Sequence, residues 1–326
     1  MSHFRRVIAV ATAFISLLLF AMPARAQDCK LMQAASLDMI PSTDGHILVS
    51  LLVSGIPRYF YVEIDAPFSS IDLNFVDQSQ FDHSRLERPS MPFVLGQAIR
   101  DTAIVPSLQI GGQSGTDVRL LIVPKFNVPD KRAIGILGLD LLSGFDVELD
   151  FAKNKINLFS QNHCPGQVVY WTKNYASVPM QQSEVWQFIQ RIPMQLDGQS
   201  VFVAFSTMDD HSFLPLSLAR QLFNLAPGSP GLVATTEVSH GTETVYKYPF
   251  KTLEVGGVKI LNPNLFIYSD DDVWKHCDNH QIKRAPFLLS CETSGDFVLT
   301  LSELRKLHLY FAYGEKKIYV TTADAH

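Results

Sequence analysis

The sequence is poor in charge, in cysteine and in long apolar runs. Charged residues make up 18% and apolar residues 47% of the 326 positions. That balance supports a sizeable core and argues against general disorder. Basic residues form no run, so nucleic acid is not an expected partner. The chain has no G-x-x-x-x-G-K-[ST] and no G-x-G-x-x-G, so nothing in it points to a nucleotide. No cofactor and no metal are expected. After residue 26, no apolar segment is long enough to span a bilayer. The length suits one large domain or two lobes of about 150 residues each.

The one long apolar run stands at the start. "MSHFRR" is a short basic stretch, "VIAVATAFISLLLFAM" an apolar one, and "ARA" before Gln27 fits a small-x-small cleavage pattern. Residues 1–26 therefore read as a cleavable signal peptide, with a retained N-terminal anchor as the alternative. Three of the 27 basic residues (Arg5, Arg6 and Arg25) lie in that segment. The remainder carries 24 basic and 32 acidic side chains, a formal −8. The expected location is periplasmic or secreted.

Export gives the four cysteines meaning. Cys29, Cys164, Cys277 and Cys291 allow three pairings. Cys29–Cys164 and Cys277–Cys291 are favoured. The first ties the mature N-terminus to the end of the first half. The second closes a loop of about 15 residues, worth about 3 kcal/mol in the chain-entropy model.

The two halves of the chain repeat each other. "SLQIGG" (Ser107–Gly112) matches "TLEVGG" (Thr252–Gly257). "GILGLDLLSGFDVELDFAKNKINLF" (Gly135–Phe159) lies without gaps on "FVLTLSELRKLHLYFAYGEKKIYVT" (Phe297–Thr321). Val147, Leu149 and Phe151 alternate with Asp146, Glu148 and Asp150, the period of a half-buried strand. Leu309, Phe311 and Tyr313 hold the same phase. "YVEIDAPFSS" (Tyr61–Ser70), an apolar strand running into a turn, has its partner in "SVFVAFSTMDDHSFLPLSLARQLF" (Ser200–Phe223), which ends in a helical stretch from Leu218 to Phe223. "SQNHCPGQ" (Ser160–Gln167) has linker composition.

These segments resemble the aspartic proteases of the pepsin and retropepsin type. The resemblance rests on the "IDAPFSS" turn after a strand, on "GILGLDLL" and on their degenerate repeats, and it covers most of the chain after residue 26. It implies a mainly β, bilobal pepsin-like double β-barrel with few short helices. The lobes would be residues 27–160 and 168–326, joined by a linker at 161–167. In that family each lobe supplies one Asp from an Asp-Thr/Ser-Gly turn, and the two carboxyls share one proton across a water. The Thr or Ser hydroxyl braces the turn across the lobe interface.

Carried onto this sequence, the motif places Asp65 at the Asp position, Ala66 at the hydroxyl position and Pro67 at the Gly position. In the second half it places Ser206, Thr207 and Met208 at the same three positions. Gly138 and Asp140 of "LGLD" align with Thr300 and Ser302. A serine hydroxyl does not act as acid or base near neutral pH, and one such group is typically worth about 10²–10⁴-fold. The resemblance thus implies an exported aspartic protease-like protein that is catalytically inactive, with an extended peptide in the inter-lobe cleft held partly by strand addition. The alternative is an active endopeptidase in which Asp65 works with a second acid such as Asp209. A third reading is a scaffold whose former catalytic centre is filled by Phe68, Met208 and Phe213. A monomer is expected.

Other clusters carry less. His276, Cys277 and His280 in "DDDVWKHCDNH" have a spacing that zinc could use, but export favours a surface loop with Cys277 in a disulfide. Ser206 and His211 lack a G-x-S-x-G context. His240 reads as a loop tip. His308, aligned with Asp146 in the outward phase, reads as a surface residue.

Overall fold

The computed structural model describes residues 29–86, 93–182, 190–209, 211–237, 243–269 and 297–325. Residues 1–26, His240, His276, Cys277, His280 and Cys291 lie outside the described residues.

The chain is mainly β. An eight-stranded sheet is built wholly from residues 40–137, and a ten-stranded sheet wholly from residues 181–299. A six-stranded sheet joins them. Its order runs Gln33–Asp38, Lys155–Phe159, Asp146–Asp150, Leu307–Ala312, Lys317–Thr322, Ala176–Pro179, so three strands from each half meet at its centre. This is two lobes on a shared base.

Tight hairpins set the register within each lobe. Ser54 and Gly55, both with positive φ, join Ile47–Val53 to Ile56–Val62. Asp197 and Gly198 do the same for Gln190–Leu196 and Gln199–Phe205. Two successive left-handed residues match the twist of the flanking strands. The first hairpin has the burial that alternation demands, with Ile47, Val49, Leu51 and Val53 buried. The two "GG" turns bring the lobes onto the base in the same way. Gly111 and Gly256 have φ near +55°, and a Cβ on either would collide with the Cβ of Ala35 or Ala176 respectively.

One face of the six-stranded sheet belongs to the main core. Val147, Leu149, Leu309 and Phe311 join an apolar cluster that runs continuously through both lobes. The other face departs from expectation. Asp146, Glu148 and Asp150 are as buried as their apolar neighbours, and so is His308, at 2% exposure. The half-buried strand and the surface His308 are therefore corrected. Two things bury this face: residues 168–171 pack across it, with Val168 and Trp171 against Phe159, Tyr310 and Tyr319, and the acids find partners there. Asp146 meets His163 and Glu148 meets His308. The indole of Trp171 stacks on the His308 ring at 4.0 Å.

Cys29 and Cys164 form a disulfide. It fastens the start of the described chain beside the loop that leaves the strand Lys155–Phe159.

Candidate functional site at the lobe junction

Each lobe carries the same local device. In the first, the strand Ile56–Val62 runs parallel to Ala133–Leu137, with Val62 beside Leu137. In the second, Gln199–Phe205 runs parallel to Phe297–Leu299, with Phe205 beside Leu299. The next residue on each strand then donates its N–H to the same place. Glu63 N reaches Leu137 O and Ser206 N reaches Leu299 O, both at 3.0 Å.

That register makes Glu63, not Asp65, the counterpart of Ser206. The same offset carries Ile64 onto Thr207, Asp65 onto Met208 and Ala66 onto Asp209. It continues through Ser69 and Ser212 to the first helical residues, Leu73 and Leu216. The sequence pairing of Asp65 with Ser206 is thus displaced by two residues, because the acid that ends the turn was matched in place of the acid that ends the strand.

The two turns clasp each other across the junction. Thr207 Oγ1 donates to Val62 O at 2.6 Å and accepts from Ile64 N at 3.2 Å. Thr207 therefore braces the opposite turn, as the resemblance implies for a hydroxyl at this position. The reciprocal brace is absent, since Ile64 has no hydroxyl. The Glu63 carboxylate stands in for it. Glu63 Oε1 accepts from Thr207 N at 2.9 Å, and Oε2 accepts from Ser206 Oγ at 3.2 Å. Asp65 N lies 3.4 Å from Oε1. Glu63 is only 7% exposed and Ser206 2%, so this is an interior contact.

Ser206 Oγ is also the acceptor for Met208 N at 3.3 Å and Asp209 N at 3.0 Å. Its hydrogen and lone pairs are committed to shaping the second turn. His211 lies with its ring tilted onto Phe266 at 4.5 Å.

Asp65 is half-buried and hydrogen-bonded through its side chain to Glu63. Burial, first, pushes its carboxyl well above the usual carboxylate range. The Glu63 charge, the hydrogen bond to Glu63 and the Asp209 charge push the same way. These forces favour the protonated form of Asp65. Asp209 is exposed, on the counterpart position of Ala66.

Of the three side chains read as fillers, Met208 packs across the junction against the first-lobe cluster of Leu48, Tyr61, Val128, Ala133 and Ile136. Phe213 packs edge-on to Tyr268 within its own lobe. Phe68 is 38% exposed.

Beneath each turn lies a buried serine. Ser69 Oγ donates to Asp140 Oδ1 at 2.6 Å and accepts from Gly138 N at 2.9 Å. A Cβ on Gly138 would sit 2.8 Å from Ala66 O and 2.9 Å from Phe68 O, so this chain passes directly under the turn. In the second lobe Ser212 Oγ accepts from Thr300 N at 2.9 Å and contacts Ser302 Oγ at 3.1 Å. Burial raises the Asp140 carboxyl against the pull of its Ser69 hydrogen bonds, whereas Ser302 makes the corresponding contact without charge.

Comparison with solved structures gives the fold. Basic 7S globulin from soybean superposes with a TM-score of 0.52 at 10% identity, over 91% of this chain and 100% of that one. The structure titled edgp superposes with a TM-score of 0.54 at 8% identity, over 91% and 98%. The fold is the pepsin-like double β-barrel. A retropepsin-like aspartic protease from Rickettsia conorii matches 40% of this chain at 17% identity, with a TM-score of 0.30. No protein-family model matches the sequence, and no curated protein does.

Glu63 is the residue that sequence reasoning missed. The signal was present. Sliding "VEIDAPFSSIDL" onto "FSTMDDHSFLPL" without gaps aligns Ser69 with Ser212, Ile71 with Leu214 and Leu73 with Leu216, and so puts Glu63 on Ser206.

Proposed function

We propose that this chain is an exported pepsin-like protein whose lobe junction is a structural clasp in place of a peptidase centre, and whose inter-lobe cleft binds an extended peptide segment. The observation that carries this reading is the pair at the two dyad positions. One is Ser206, which cannot take part in shared-proton acid–base chemistry. The other is Glu63, whose carboxylate accepts from Thr207 N and Ser206 Oγ of the opposite turn. A pepsin-type mechanism needs both positions to present carboxyls to one water. The Cys29–Cys164 disulfide and the leader-like composition of residues 1–26 support export to the periplasm or beyond. Among the described residues no helix is long and apolar enough to cross a membrane.

A second reading has one observation in its favour. Asp65 is hydrogen-bonded to Glu63 and close enough to Asp209 to be affected by its charge. Such carboxyls can exchange a proton in acid, and Asp65 could then serve a peptidase with a non-standard second acid.

One experiment separates the two. A diverse peptide library is incubated with the mature protein from about pH 3 to pH 8, beside Asp65→Ala and Asp209→Ala variants, and both cleavage and retained peptides are read by mass spectrometry. Retention of extended peptides without cleavage supports the clasp reading. Cleavage that disappears in Asp65→Ala overturns it in favour of the second. If peptides are neither cleaved nor retained, the peptide-binding half is refuted.

A further inference from the structure

We propose that Met208 is a redox-sensitive strut between the lobes: a peroxide converts its thioether to the sulfoxide, and the oxidised side chain leaves the first lobe and loosens the clasp.

Met208 carries the apolar part of the second turn across the junction. It packs on the first-lobe cluster of Leu48, Tyr61, Val128, Ala133 and Ile136, where Val94 and Phe126 also pack. Its backbone is tied to the clasp. Met208 N donates to Ser206 Oγ at 3.3 Å, and that hydroxyl donates to Glu63 at 3.2 Å. Its neighbour Thr207 holds the brace to Val62 O and Ile64 N. A change in where the Met208 side chain sits therefore acts on the turn that makes those contacts.

The five described methionines differ in what an oxidant would meet. Met39, Met180 and Met194 are buried in the main core. Met32 is 50% exposed, just before the first strand of the base. Met208 is half-buried, so it keeps a solvent-facing part and still has contacts to lose. Cys29 and Cys164 are joined, and no described cysteine is free. Among the described residues a peroxide thus meets thioethers and no thiol.

The step is a two-electron oxygen transfer. A sulfur lone pair attacks one oxygen of hydrogen peroxide, and the O–O bond breaks. The proton of the transferred hydroxyl passes to the departing hydroxide, which leaves as water. Sulfur is oxidised and the peroxide is reduced. A flexible apolar side chain has become a polar one. Its new oxygen is an acceptor, costly to bury without a donor. The side chains of Leu48, Val128, Ala133 and Ile136 offer none, and Tyr61 already gives its hydroxyl hydrogen to Asp44 at 3.0 Å. Ser206 Oγ gives its own to Glu63. The sulfoxide is better solvated outside the cluster, and the strut is withdrawn.

The test is peptide-mapped oxidation with amide hydrogen exchange, on the full protein treated with hydrogen peroxide. Met32 and Met208 should be converted before Met39, Met180 and Met194. Amides of Ile64, Thr207 and Asp209 should then lose protection by about tenfold or more relative to the strand Gln190–Leu196. Met208→Leu keeps the apolar contact without the sulfur and should hold its protection through the same treatment. Met208→Gln, of similar length with a polar end, should show the loss without peroxide. Should neither variant fold, stepwise oxidation of the wild type replaces them, and the loss should follow the sulfoxide fraction of Met208 and not that of Met32. Met208 left unconverted when Met32 is complete would overturn the strut. So would full protection at the clasp with Met208 converted, a loss that persists in Met208→Leu, or a Met208→Gln protected like wild type.

Discussion

Glu63 and Ser206 occupy the same position in the two lobes, and the hydroxyl of one donates to the carboxylate of the other at 3.2 Å. An ordinary donor and an ordinary acceptor thus meet where the two turns clasp. Stability is what this contact should control.

Glu63→Ala removes the acceptor of Thr207 N and Ser206 Oγ inside the junction. Each unpaired buried donor costs about 1–3 kcal/mol, so a loss of about 2–4 kcal/mol is expected in urea unfolding. Glu63→Gln keeps a carbonyl acceptor and should lose less than half as much. Equal losses for the two variants would mean that packing, not acceptance, is what Glu63 supplies.

Thr207→Val keeps shape and strips the hydroxyl that links Val62 O and Ile64 N. A cost of about 2 kcal/mol or more is expected, with Thr207→Ser much nearer wild type. Denaturant midpoints of the two variants decide this directly.

The Asp65 carboxyl is raised in the folded state. Its favourable contribution is therefore complete below the ordinary carboxylate pKa, about 3.9, and is lost as pH rises through the raised folded value. Asp65→Asn mimics the protonated form. Its Tm should match wild type in acid and exceed it increasingly towards neutral pH. A Tm difference that does not change with pH would contradict the raised carboxyl.

Ser206→Asp returns an acid to the second lobe, against Glu63. Two carboxyls this close cannot both ionise cheaply, so the variant should be most stable in acid and lose stability as pH rises. Thermal melts from acid to neutral pH test this, and peptide cleavage can be followed on the same samples.

Removing the Cys29–Cys164 bond by Cys→Ser at both positions frees a loop with a sequence separation of 135. The chain-entropy model gives about 5 kcal/mol for such a loop. A loss near zero in equilibrium unfolding would show that the N-terminal strand holds without its tether.

Much of the architecture was legible. The ungapped repeat of Gly135–Phe159 on Phe297–Thr321 gave the paired strands of the base, and the spacing of "LSLARQLF" gave a helix that runs from Leu216 to Phe223. The Cys29–Cys164 pairing was also readable from where the two cysteines fall. Two features resisted for physical reasons. Alternation reads one face of a strand as solvent, but Asp146, Glu148 and His308 are covered by residues 168–171, which carry no strand or helix pattern of their own. The place of Glu63 was obscured because a turn with two acids, Glu63 and Asp65, offers two registers. Only the fixed distance from strand end to helix start tells them apart.

The repeat has one position that must meet itself. Glu148 and Tyr310 correspond in the two copies, and they also lie opposite each other in the ladder between Asp146–Asp150 and Leu307–Ala312. The internal twofold passes between them. In a symmetric dimer of either copy, glutamate would confront glutamate at a fully buried point, or tyrosine would confront tyrosine. A single chain escapes that constraint. Joining the copies frees this position to hold two different side chains, and so permits one buried glutamate where identical subunits would set two face to face.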